Sequence, residues 1–213
     1  MMLRRFMVNR LLFWIVVLAP LSVWSVTVAQ EGTRMAKLVA SVQQAILILK
    51  DPELAVPARR EERREMLRRV IYQEFDFIRM SQSAVGRAWA KFTPGQQQRF
   101  TDLFRRLLEN TYMSMIERYD GERVEFLKEV PKSEDLVLVD SLIHAKGQQY
   151  KLSYYMHNTS GEWKVDDVII EGVSVVANYR SQFQQAIRTP EDIEPLLSRL
   201  QEKVQIVPVS KGG

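Results

Sequence analysis

Residues 163–183 read WKVDDVIIEGVSVVANYRSQF, and the apolar period changes inside this stretch. Trp163 and Val165 alternate with polar neighbours, as do Val168 and Ile170, but the two pairs have opposite parity. The switch falls on Asp166–Asp167, where one extra residue, a β-bulge, would return both pairs to one face. Beyond Glu171 the period lengthens. Val176, Tyr179, Phe183 and Ile187 follow one another at helical spacing. A strand therefore runs into a helix. Val173, Val175 and Val176 crowd the junction, with Asn178, Arg180 and Gln182 set among the apolar residues. A buried helix would use this pattern, and so would the wall of a ligand cavity.

Working toward the N-terminus, the period of two persists. Tyr150, Leu152, Tyr154 and Met156 alternate with Lys151, Ser153 and His157. Leu136–Ile143 is apolar at nearly every position, as expected of a strand covered on both sides. Val124, Phe126 and Val130 mark a further strand. Gly147 and Asn158–Gly161 supply turns. Four strands at hairpin spacing predict an antiparallel sheet.

Before the sheet the pattern is helical. Thr93-Pro94-Gly95-Gln96 reads as a capping box with proline at the first helical position. The helix it opens carries Phe100, Leu103, Phe104, Leu107, Leu108 and Tyr112, a stripe wide enough to be buried on more than one side. Gly86 breaks the helix before it. Met35, Leu38, Val42, Ile46 and Leu49 form one face of an earlier amphipathic helix, which Asp51-Pro52 ends. The run Arg59–Arg69 mixes Arg and Glu at helical spacing and reads as a solvated face or, alternatively, a docking surface. Thr189-Pro190 starts a last helix with Leu196, Leu197 and Leu200. The expected class is α+β: a curved four-stranded antiparallel sheet packed against helices, enclosing an apolar pocket wherever side chains leave the space between them unfilled.

Residues 1–29 read as a secretory signal peptide: Arg4, Arg5 and Arg10, then the apolar run LLFWIVV, then small residues before Gln30. A membrane anchor is the alternative, weakened by Pro20 and Ser22 within the apolar region. The leader holds three of the chain's 30 basic residues and none of its 26 acidic ones, so the remainder is nearly neutral. Nucleic acid is therefore not an expected partner. With no Cys, the exported chain would rest on an apolar core and not on disulfides. Residues 30–205 are expected to form a single domain, and 206–213 a flexible tail.

Chemistry is sparsely encoded. His144 and His157 are the only histidines and no metal-ligand spacing surrounds them. Asp166 and Asp167 are adjacent, so on a regular strand they would face opposite sides and share no proton. Acid–base catalysis through Asp167 or Asp140 on a small apolar substrate remains an alternative by analogy with other cone-shaped folds. An adaptor with a filled core is a third reading. The aromatic and Met residues concentrate in residues 66–119 and 150–183, which fits a large core as well as a cavity.

Two blocks carry a family resemblance: FDFIRMSQSAVGRAWAKFTPGQQQRFTDLFRRLLENTY at 75–112 and WKVDDVIIEGVSVVANYRSQFQQAI at 163–187. They resemble the MlaC family of periplasmic phospholipid-binding proteins, the toluene-tolerance auxiliary proteins. Asp166 stands where many members are expected to carry an aromatic residue. The resemblance implies a periplasmic phospholipid carrier of a Gram-negative bacterium, with bound phospholipid as cargo and no cofactor, metal or catalytic residue. Its implied partners are an inner-membrane ABC transporter with an MCE-domain component and an outer-membrane lipoprotein–porin complex, and its implied role is to maintain outer-membrane lipid asymmetry. The lining it implies comprises Phe75, Met80, Val85, Trp89 and Phe104, then Leu108, Tyr112, Val139, Leu152 and Tyr154. Val165, Val173, Val175, Tyr179 and Phe183 complete it, with Asn178 and Arg180 fixing the last segment at the rim or pairing with Asp167.

Overall fold

The computed structural model describes residues 31–206. The leader reading of 1–29 lies outside the described residues, as does the tail reading beyond Ile206. Four helices come first: α1 (Glu31–Lys50), α2 (Arg60–Glu74), α3 (Phe77–Val85) and α4 (Pro94–Ile116). Strands β1 (Arg123–Ser133), β2 (Leu136–Ala145), β3 (Gln148–Thr159) and β4 (Glu162–Ile170) follow. A two-residue β5 (Val173–Ser174) leads into α5 (Val175–Ala186) and α6 (Ile193–Ile206). The sheet is antiparallel in the order β1-β2-β3-β4-β5. The α+β class holds, with five strands in place of four.

The bulge lies where the parity switch puts it. Tyr155 pairs with Asp167 and Met156 with Val165, so Asp166 is the extra residue. It keeps Val165 opposite Met156 and Val168 opposite Tyr154, on one continuous inner face. The fifth strand comes from Glu171–Gly172. Both residues have positive φ, 49° and 83°, as a two-residue hairpin turn of type I′ requires. Ile170 then faces Val173 across the turn. Thr93 caps α4 as expected: its Oγ1 accepts from the Gln96 N–H, and the Gln96 side chain accepts from the Thr93 N–H. Gly86 ends α3 at a φ of 65°, which a residue with a Cβ would adopt only with strain.

β2 is covered less symmetrically than its composition implies. Val137 and Val139 are fully buried on the inner face, whereas Leu136, Leu138 and Leu142 are half-buried. The helices pack mainly on the other face, and Asp140 sits beside these leucines, accepting from Ser153 Oγ at 2.6 Å.

Three apolar clusters hold these layers together. The largest packs α3, α4, α5 and α6 around Phe100, Phe104, Tyr179 and Phe183. A second joins Leu38 of α1 to the inner sheet at Val137, Val139, Met156 and Val165. The third joins α1, α2 and α4 through Ile48, Leu67, Val70 and Met113.

Candidate functional site

Between the three clusters lies an unfilled cavity of about 480 Å³. Four surfaces wall it. The sheet contributes Val124, Ile143, Leu152, Tyr154, Val168 and Ile170. From α4 come Leu108, Tyr112, Met113, Met115 and Ile116. The inner stripe of α1, Leu38, Val42, Ala45, Ile46 and Leu49, forms a third wall. Leu67, Val70 and Ile71 of α2 complete it, with Phe75, Phe77 and Met80 beside them and Val175 at the start of α5. Such a lining fits an apolar ligand of the size that protein pockets ordinarily take. Met115 is both a lining residue and 55% exposed, so the cavity reaches the surface at the C-terminal end of α4.

Polar lining residues are few, and most are engaged. Tyr72 donates to Glu109 at 2.9 Å, and Arg68 holds the other Glu109 oxygen at 2.6 Å. Burial, reinforced by Glu109, pushes the Tyr72 hydroxyl up to about 12, so it stays protonated and donating. Tyr154 is likewise pushed up to about 12 by burial. Glu74 is buried with its carboxylate 3.6 Å from Lys37 Nζ. The seam between α2 and α4 is closed by Glu117, which accepts from Arg64 and Arg60 at 2.7–3.0 Å.

Of the expected lining, Phe75, Met80, Leu108, Tyr112, Leu152, Tyr154 and Val175 meet at the cavity. Val85, Trp89, Phe104, Tyr179 and Phe183 sit instead in or against the helical core, because α5 and α6 cover that side of α4. Val139 and Val165 lie in the packed inner sheet. Val173 is 61% exposed, since the Glu171–Gly172 turn directs it away from the helices. Sequence reasoning missed the α1 and α2 walls. The α1 stripe was visible at helical spacing, but nothing in it marked a cavity wall as distinct from a core face.

The remaining sequence candidates have structural partners. Asp167 accepts from Ser174 Oγ at 2.5 Å and from the Val176 N–H at 3.0 Å, fixing the start of α5. It does not pair with Arg180, whose Nε donates to the Ser83 carbonyl at 2.6 Å, tying α5 to α3. Asp166 sits 2.5 Å from His157 Nδ1 and 3.1 Å from Arg79 Nε, in a separate polar hollow that also contains Lys132 and Arg180. Burial raises the Asp166 carboxyl against the opposing pull of His157 and Arg79. Neither Asp140 nor Asp167 lines the apolar cavity. Among the described residues no cluster of acidic and histidine side chains could hold a metal ion, and no helix is long and apolar enough to cross a membrane.

A family model described as MlaC protein matches residues 40–202, which include all five strands, most of the helical core and nearly all of the cavity wall. The chain belongs to the MlaC family. Among relatives, it is 30% identical over 101 residues to the toluene tolerance protein Ttg2D of Pseudomonas putida. That match covers 46% of each chain, so this chain spans about half the length of that relative. Among solved structures, it is similar to the phospholipid-binding protein of Ralstonia solanacearum, determined in complex with a phospholipid. The TM-score is 0.73 at 26% identity, covering 82% of this chain and 98% of the other. The shared fold thus accounts for the sheet-and-helix layers.

Proposed function

We propose that this chain binds a phospholipid in the cavity and carries it through the periplasm. The observation that carries the reading is the unfilled, apolar-walled volume of about 480 Å³, in a fold whose Ralstonia relative was solved with a phospholipid bound. A two-chain lipid exposes on the order of 30 methylenes, each worth about 0.8 kcal/mol when buried. That cost bars free diffusion through water, and the walls of α1, α2, α4 and the sheet remove much of it. A carrier needs no reaction at the cavity, and its cargo leaves unchanged. The route runs between an outer-membrane lipoprotein–porin complex and an inner-membrane ABC transporter with an MCE-domain component, and it serves the lipid asymmetry of the outer membrane. The leader-like residues 1–29 and the family membership support this placement.

Mass spectrometry of lipids extracted from the purified protein tests the binding step. Phospholipid in a fixed ratio to protein is expected. Protein that stays empty after incubation with phospholipid vesicles would overturn the reading. Transfer of labelled lipid between donor and acceptor vesicles bearing each membrane complex tests the route.

A further inference from the structure

The polar hollow beside Asp166 has a volume of about 340 Å³ and shares no lining residue with the apolar cavity. It lies on the face of β3 that carries Tyr155 and His157. The end of the β1–β2 hairpin borders it at Lys132 and Leu136, α3 at Ser83, and α5 at Val176 and Arg180. Both of its carboxylates are engaged. Asp166 is held by His157 and Arg79, and Asp167 by the Ser174 hydroxyl and the Val176 N–H. The groups left over can all donate. Arg180 uses only its Nε, on the Ser83 carbonyl, which leaves its two terminal nitrogens free. Among the described residues nothing pairs with the Lys132 ammonium, and the hydroxyls of Tyr155 and Ser83 have no partner. Glu134 and Asp135 stand in the adjoining turn yet form no ion pair with Lys132. Lys132 and Arg180 are exposed, and Tyr155 and Ser83 half-buried, so the set faces solvent.

Charge selects the class of ligand. Arg79, Lys132 and Arg180 stand against Asp166 and Asp167, so with His157 neutral the hollow carries one positive charge in excess. A monoanion balances it. A dianion would leave it negative beside two carboxylates that are already partly buried. Leu136 and Val176 add an apolar side suited to a short hydrocarbon stem. We propose that this hollow is a binding site for a carboxylate on a short apolar stem, the chemistry shared by an acidic side chain of a polypeptide and a free short-chain acid. The two terminal nitrogens of Arg180 take the two carboxylate oxygens, and the Lys132 ammonium and Tyr155 hydroxyl complete the set. The site stands apart from the lipid-binding reading, because no residue of the apolar cavity contributes to it.

The test follows the backbone amides of the purified protein by NMR at pH 7 and constant ionic strength. The probes are propionate, its neutral isostere propionamide, and the blocked peptide acetyl-Gly-Glu-Gly-amide. Propionate should shift amides around Tyr155, Val176 and Arg180 and leave those around Leu108 and Leu152 unmoved. It should bind about tenfold more tightly than propionamide, the scale of one hydrogen bond to a charged group. Arg180→Gln should remove about that factor, and Arg180→Lys should restore part of it. Arg180 also ties α5 to α3, so Lys132→Gln, which breaks no contact within the fold, decides the matter if Arg180→Gln fails to fold. It should weaken propionate several-fold. Equal affinity for propionate and propionamide, an absence of shifts at the hollow, or unchanged binding by Lys132→Gln would each overturn the proposal. Inorganic phosphate that binds more tightly than propionate would overturn the monoanion assignment. A peptide that binds more tightly than propionate assigns the carboxylate to a polypeptide partner, and one that does not assigns it to a free acid.

Discussion

The two sides of α4 are built from similar residues and end in opposite states. Toward α5 and α6, Phe100 and Phe104 are fully buried. Phe104 meets Tyr179 and Phe183 edge to face and Phe100 at a tilt, at centroid distances of 5.2, 5.6 and 5.8 Å. Toward the sheet, Leu108, Tyr112 and Met115 face open volume. Apolar content does not separate the two sides. On one side α6 packs along α4, and the rings of α5 fill the gap. On the other, α1, α2 and the inner sheet stand back from α4, and the seam between α2 and α4 is bridged by arginine–glutamate pairs. Close-packed interiors rarely leave such space, so a gap this large in an otherwise filled molecule points to something that occupies it.

The largest expected effect lies on the filled side. Phe104→Ala removes a ring that touches three others and should cost about 3–5 kcal/mol of stability, measured by urea unfolding. Lipid loading per folded molecule should change little, because Phe104 does not line the cavity. A loading defect that exceeds the loss of folded protein would break the division between the two sides.

A smaller effect is expected at the polar seam. Burial opposes ionisation of Glu117, yet the hydrogen bonds from Arg64 and then Arg60 outweigh it and hold the carboxyl at about 2, below its ordinary 4.5. A depressed carboxylate contributes stability that is fully present above pH 4.5 and is lost as the pH falls from there toward 2. Glu117→Gln should therefore cost on the order of 1–2 kcal/mol at pH 7, a figure discounted because the group keeps some contact with solvent. The difference between variant and parent should shrink steadily below pH 4.5. A gap that persists unchanged at pH 2 would mean that Glu117 packs the seam and does not bind it electrostatically.

Much of the fold was legible because local signals agreed. The parity switch at Asp166–Asp167 gave the bulge, Thr93–Gln96 gave the start of α4, and Gly86 gave the end of α3. The short β5 was not legible, since a glutamate with positive φ ahead of Gly172 is not the Asn-Gly or Asp-Gly pair that usually marks a type I′ turn. That missed turn is what sends Val173 into solvent. The site was half legible for a different reason. Periodicity tells which face of a helix is apolar, but whether that face meets a neighbour or a void depends on how far away the opposing element stands. Tyr179 and Phe183 on α5 and Leu152 and Tyr154 on β3 carry equally strong patterns, yet only the second pair lines the cavity.

The smallest stability effect tests that distinction most directly. Leu152 lies on the inner face of β3, paired with Ser141, and its side chain borders the open volume. Replacing a packed leucine by tryptophan normally costs about 1–3 kcal/mol through overpacking. Here the added ring has the cavity to enter, and the Ser141 hydroxyl bonds the Leu152 backbone carbonyl at 3.1 Å, a contact the substitution leaves intact. Leu152→Trp should therefore shift stability by less than about 1 kcal/mol while displacing cargo. Its loading, read by mass spectrometry of co-purified lipid per folded molecule, should fall several-fold. The paired measurement matters more than either alone. A sharp fall in melting temperature with loading unchanged would place Leu152 in a filled core, and the cavity would then end short of β3. Preserved stability with lost loading would show that the space beside β3 holds the cargo, as the unfilled side of α4 requires.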